Sequence, residues 1–296
     1  MENRMRGPLI SRRGAVAAGM AMAMAGPALA VGSAATITAE DGRSVKVSIW
    51  PAVGPESGLI LFSHGALSSP ESYERLIGPW TRAGFRVLAP LHVDSTSHPD
   101  HARYGMIDSW RCRLLDMRAL AVFAGSARYI AAGHSYGALT ALTLGGAQAV
   151  IPPGVAGPLR DPRVTAVVAF SPPGPSPGLI TAEGYSHLAV PALIETGDRD
   201  VPPAAMGGGD YHMHLTAFDV APAGDKYALV LEGVDHYFGG LICRLDLPGP
   251  PQTAALSEAA ALSADFLRAY GAGDAPARDR LETALTTHVG FDLRRK

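Results

Sequence analysis

The chain has 296 residues, 47% of them hydrophobic and 18% charged, enough for one large domain with a full core. Its formal net charge of −2 comes without a basic stripe, which argues against nucleic acid or an anionic membrane as partner. The 34 glycines and 24 prolines are scattered without a period, so they predict many tight turns rather than low complexity.

Residues 1–30 read as an export signal and stand outside any fold argument. Arg4, Arg6, Arg12 and Arg13 precede an apolar stretch from Gly14 to Ala25, and Ala28-Leu29-Ala30 forms an A-x-A cleavage site. Ser11-Arg12-Arg13 resembles a twin-arginine signal, with Ala15 where such signals usually carry Phe. Gly26 and Pro27 interrupt the apolar run before it reaches membrane-spanning length. Cleavage would take four arginines and one glutamate with it, moving the net charge from −2 to about −5. A periplasmic or secreted protein is expected, with no stable membrane insertion after processing.

Thr36–Glu40 and Ser44–Trp50 are short β-branched runs joined at Asp41-Gly42, which predicts a hairpin. Strands are then expected at Leu59–Phe62, Arg86–Ala89, Tyr129–Ala132, Val164–Phe170, Ala192–Glu195 and Tyr227–Leu231. Helices are expected at Pro70–Ala83, Asp108–Ala124, Tyr136–Gln148 and Gln252–Tyr270, with a second short one at Ala277–Thr287. Strands apolar on both faces and alternating with helices predict an α/β fold, a mostly parallel twisted sheet covered on both sides. Ser171–Val190 reads as a loop over the cleft without a clear helix, so no large cap domain is expected. Residues 31–296 form a single domain in this reading.

In such sheets ligands sit at the carboxyl ends of the strands. Ser63-His64-Gly65-Ala66, Gly133-His134-Ser135-Tyr136-Gly137, Gly197-Asp198-Arg199-Asp200 and Asp235-His236 all fall there. A strand that turns at once into a helix forces its serine into an unfavourable backbone conformation, so the residues two before and two after must be small. The serine hydroxyl needs a histidine as base, and the histidine needs a carboxylate to fix its tautomer. Serine, acid and histidine occur here in that chain order, each at a strand end. Ser135 therefore reads as a nucleophile.

The stretches "LILFSHGALSSPESYERLIGPWTRAGFRVLAP", "AAGHSYGAL", "ETGDRDVPP" and "LVLEGVDHYFGG" resemble the platelet-activating-factor acetylhydrolase, chlorophyllase and dienelactone-hydrolase-like branch of the α/β-hydrolase superfamily. The likeness runs from about residue 58 to about 270. It implies Ser135 as nucleophile, Asp200 as acid and His236 as base, with the backbone N–H groups of Ala66 and Tyr136 as oxyanion hole. It implies no metal and no organic cofactor. Dienelactone hydrolases proper use a cysteine nucleophile, so their substrate does not carry over, and Ala66-Leu67 replaces the Gly-rich run common in lipases.

Several residues have a plainer alternative. Asp198 rivals Asp200, and His64 and His134 are expected to hydrogen-bond structurally rather than react. Asp210-Tyr211-His212-Met213-His214 invites a metal reading, but two histidines at i, i+2 leave a helix on opposite sides, so a solvated helix start or pocket rim is expected. Trp110, Tyr237 and Phe238 are candidates to line an acyl or alcohol pocket, with ordinary core aromatics as the alternative. Cys112 and Cys243 stay open between a disulfide and two buried thiols. An exported serine hydrolase acting on small-molecule carboxylic esters is the first functional expectation. A non-catalytic binding protein of the same fold, or a thioesterase, polyester hydrolase, perhydrolase or peptidase, is the alternative.

Overall fold

The computed structural model describes residues 32–201, 209–247 and 249–296. The expected signal over residues 1–30, and Pro202 and Pro203 of one quoted stretch, lie outside them. The strands are β1 (Ser33–Thr38), β2 (Ser44–Trp50), β3 (Gly58–Ser63), β4 (Phe85–Pro90), β5 (Tyr129–His134), β6 (Val164–Phe170), β7 (Ala192–Gly197), β8 (Lys226–Leu231), β9 (Thr286–His288) and β10 (Phe291–Arg295). Among the described residues they make one sheet in the order β1-β2-β4-β3-β5-β6-β7-β8-β10-β9. The six strands from β4 to β8 in that order are parallel to one another, and antiparallel pairs close both ends.

Each central strand buries both of its faces, which is why it reads as an unbroken apolar run. Along β6, Val167 and Ala169 enter one core while Ala166, Val168 and Phe170 enter the other. The first core is covered by α2 (Met106–Phe123) and α3 (Tyr136–Leu144), and the second by α1 (Glu74–Arg82) and α6 (Thr253–Gly271). The hairpin expected at Asp41-Gly42 is present, with Gly42 at φ 83° as its turn requires.

Three expectations need correction. The loop Ser171–Val190 contains a four-residue helix, α4 (Ala182–Tyr185), started by the Thr181 side chain accepting the Gly184 N–H. The helix from Tyr136 stops at Leu144 rather than Gln148, because Gly145 and Gly146 follow and Gly146 takes φ 124°. The helix expected over Ala277–Thr287 is α7 (Ala275–Thr283), and the chain then turns into the β9–β10 hairpin, which pairs with β8. One further short helix, α5 (Thr216–Val220), continues a 3-10 turn over Tyr211–Leu215. Cys112 and Cys243 are both free and buried.

Candidate active site

β5 passes into α3 through one residue, Ser135, held at φ 55° and ψ −121°. A non-glycine residue keeps such a backbone only where its surroundings enforce it. Here the Ser135 N–H donates to the Phe170 carbonyl at 2.8 Å, tying the turn to the end of β6. The flanking glycines are sterically required. A Cβ on Gly133 would lie 2.3 Å from the Gly137 carbonyl oxygen, and one on Gly137 would lie 1.9 Å from that of Ser63. The turn is thus pressed onto the end of β3, and only glycine permits the approach.

His236, in the loop after β8, directs Nδ1 at Asp200 Oδ1 across 2.8 Å. Asp200 follows β7 and is fully buried, and its other oxygen accepts the Thr196 Oγ1–H at 3.0 Å. Burial pushes the Asp200 carboxyl up, but the charge of His236, its hydrogen bond and the close approach of His214 outweigh it and hold the group well below the usual carboxylate range. Asp198 does not reach the histidine. Its Oδ1 accepts the Gly233 N–H at 2.7 Å on the surface. With Nδ1–H committed to a carboxylate, the His236 lone pair is on Nε2, the nitrogen a base would use.

A second histidine on the same carboxylate is the feature that the sequence did not reveal. His214 Nε2 lies 3.1 Å from Asp200 Oδ1, at ion-pair distance though off the line of a straight hydrogen bond, and its Nδ1 donates to the Pro172 carbonyl at 2.8 Å. The expectation of a solvated rim holds for exposed His212, which pairs with Asp210 at 3.0 Å, and fails for buried His214. Asp200, His214 and His236 offer atoms all within 4.8 Å of one another. Their chemistry is that of two imidazoles converging on one anion. Glu195, also fully buried nearby, has its carboxyl pushed well up, first by burial and then by the charge of Asp200.

His134 links three loops. Its Nε2–H donates to the His236 carbonyl at 2.9 Å, so its Nδ1 accepts from the Tyr73 hydroxyl at 2.9 Å, and that oxygen accepts the Gly65 N–H at 2.9 Å. Burial, then the charge of His236, push the His134 imidazole well below its usual range, which fits this neutral tautomer. His64 is likewise structural: Nε2 accepts the His92 N–H at 3.0 Å and Nδ1–H donates to the Gly65 carbonyl at 2.7 Å. Among the described residues the Ala66 N–H meets no protein acceptor. The Tyr136 N–H opens α3, a position with no intrahelical acceptor. Trp110 and Phe238 are fully buried core aromatics, Trp110 stacked 5.9 Å from Tyr136, so of the three pocket candidates only Tyr237, beside His236, has surface to offer.

No family model matches the chain, and no curated protein does. Solved structures do. Thermogutta terrifontis esterase 2 in its propionate-bound form is 16% identical with a TM-score of 0.59, over 83% of this chain and 97% of that one. Dienelactone hydrolase from Anabaena variabilis is 18% identical with a TM-score of 0.56, over 81% and 97%. An alpha-beta serine hydrolase homologue from Coxiella burnetii is 17% identical with a TM-score of 0.53, over 78% and 96%. The chain has the α/β-hydrolase fold. A dienelactone hydrolase and several esterases share it.

Proposed function

We propose that the chain is an exported serine hydrolase that cleaves small-molecule carboxylic esters through an acyl-enzyme. The observation that most supports this is Asp200 Oδ1 at 2.8 Å from His236 Nδ1, at the same sheet edge as a serine held at φ 55°. His236 removes the Ser135 proton through Nε2, and the serine oxygen attacks the ester carbonyl. The Ala66 and Tyr136 N–H groups hold the developing oxyanion, and His236 gives its proton to the departing alcohol. Water then repeats the sequence and frees the acid, while Asp200 keeps the imidazole in the useful tautomer. The likeness to an esterase solved both propionate-bound and phosphonylated by cyclosarin is consistent with this chemistry.

Turnover of p-nitrophenyl esters of increasing acyl length, with a fluorophosphonate label, tests the proposal. Ser135→Ala or His236→Ala should each lower kcat by about 10⁴ to 10⁶, and the double variant by little more. Asp200→Asn should cost about 10⁴ by the logic of other triads, and Asp198→Asn less than about tenfold. Near-full turnover in Ser135→Ala would end the proposal. An inactive Asp198→Asn beside an active Asp200→Asn would reassign the acid.

A further inference from the structure

Arg113 lies in the middle of α2, on a face that helical spacing assigns to the core, and its side chain is completely buried. A buried guanidinium is costly unless every donor finds an acceptor. Here all five do. Nε and Nη2 take the two oxygens of Asp94 at 3.0 and 2.8 Å, Nη1 donates to the His64 carbonyl at 2.7 Å and to Ser63 Oγ at 3.2 Å, and Nη2 also reaches the Gly65 carbonyl at 3.2 Å. Burial alone would raise the Asp94 carboxyl, but the Arg113 charge overrides it and holds it well below its ordinary range. The plane of the guanidinium also lies 4.5 Å from the centre of the Tyr136 ring.

The carbonyls it holds are not arbitrary ones. The Gly65 carbonyl and the Ala66 N–H belong to a single planar trans peptide, so they point in opposite directions and turn together. That carbonyl is held by three donors, the Arg113 guanidinium at 3.2 Å, His64 Nδ1–H at 2.7 Å and the Ser68 N–H at 3.3 Å, of which only Arg113 carries a charge and also holds the preceding carbonyl. The peptide before it is fixed as well, through the Gly65 N–H on Tyr73. A cation on the oxygen also withdraws charge from the amide and makes its N–H a stronger donor. We infer that Arg113, anchored by Asp94, is the positioning residue of the oxyanion site: it sets the direction and donor strength of the Ala66 N–H and packs on the residue supplying the second donor. This rests on the ester-hydrolase reading above, and it extends that reading to side chains that never touch substrate. Stability alone gives no reason for the pair, since apolar residues of similar volume commonly replace buried ion pairs at no cost.

The test uses the processed chain carrying Arg113→Lys or Asp94→Asn, with kcat normalised to active sites titrated by the p-nitrophenol burst. Lysine keeps the charge but cannot span two carbonyls and a carboxylate as the planar fork does. The oxyanion exists only past the ground state, so Arg113→Lys should lower kcat by about 10- to 100-fold with KM within about twofold. Inactivation by a fluorophosphonate should slow by a similar factor, because its tetrahedral adduct places an oxygen in the same hole. Asp94→Asn, nearly isosteric, should lower kcat by about three- to tenfold and decides the matter if the lysine variant does not fold. Wild-type kcat per titrated site in either folded variant overturns the inference while leaving the hydrolase reading intact. A wild-type chain that neither turns over esters nor takes the label overturns both.

Discussion

His214 faces two acceptors, the Pro172 carbonyl and Asp200 Oδ1. A neutral imidazole has one N–H and one lone pair, so with Nδ1–H on the carbonyl its lone pair would point at a carboxylate oxygen. Protonation removes that repulsion. Burial pulls the His214 imidazole down, but the Asp200 carboxylate 3.1 Å from its Nε2 outweighs it, and its pKa is raised. The groups around it are Asp200, the His236 ring 5.7 Å away, neutral His134, and Asp210 on its own segment. Since the folded pKa is the higher one, the ion pair's contribution is complete below the unfolded value of about 6.5 and fades as pH rises through the folded value. His214→Gln, which keeps a neutral donor, should therefore melt below wild type by about 3–6 °C near pH 6, for a loss on the order of 1–2 kcal/mol, and by less near pH 9. Paired melting curves across that range check it, and a gap independent of pH would show that His214 is not held as the cation.

At the scale of elements, the sequence revealed the strands whose two faces are both buried and hid the one that covers an edge. Val164–Phe170 carries an unbroken apolar pattern because both cores take its side chains. Phe291–Arg295 does not, since only Leu293 is fully buried and Arg294 and Arg295 face outward. Its pairing partner lies some sixty residues upstream, and no local pattern reports that. The candidate site divides in the same way. The placement of Ser135, Asp200 and His236 at one sheet edge was legible because strand ends follow a chain order, whereas the contacts of His214 and Arg113 are tertiary ones that spacing cannot display. The C-terminal strand has work to do. β10 saturates the N–H and C=O groups of β8, and Arg295 pairs with Asp225 at 2.6 Å and with Glu282. The Glu232 N–H, where the His236 loop begins, donates to the Gly290 carbonyl at 2.9 Å. Truncation after Leu285 should expose the β8 edge and the pocket of Leu293, lowering Tm by roughly 10 °C or more and promoting association. Melting and size-exclusion profiles matching the full chain would mean the hairpin is dispensable.

For the whole molecule, the proposed export signal of residues 1–30 is a reading that can be tested apart from the hydrolase chemistry. At the sheet edge the Gly32 N–H donates to the Ile49 carbonyl at 3.0 Å. Cleavage after Ala30 would leave Val31 and Gly32 ahead of β1 (Ser33–Thr38), whose pairing with β2 lies wholly within the remaining chain. Among the described residues no helix is long and apolar enough to cross a membrane. On the proposed export reading, the paired Arg12 and Arg13 would serve targeting. Replacing both with lysine preserves charge while removing the guanidinium pair that a twin-arginine route would recognise. The expected outcome is an unprocessed precursor that still folds and still hydrolyses p-nitrophenyl esters inside the cell, beside a wild-type chain whose exported form starts at Val31. N-terminal sequencing of both fractions checks it. Unchanged export of the lysine variant would point to the general secretory route, and an exported chain that starts at Met1 would remove the cleaved signal altogether.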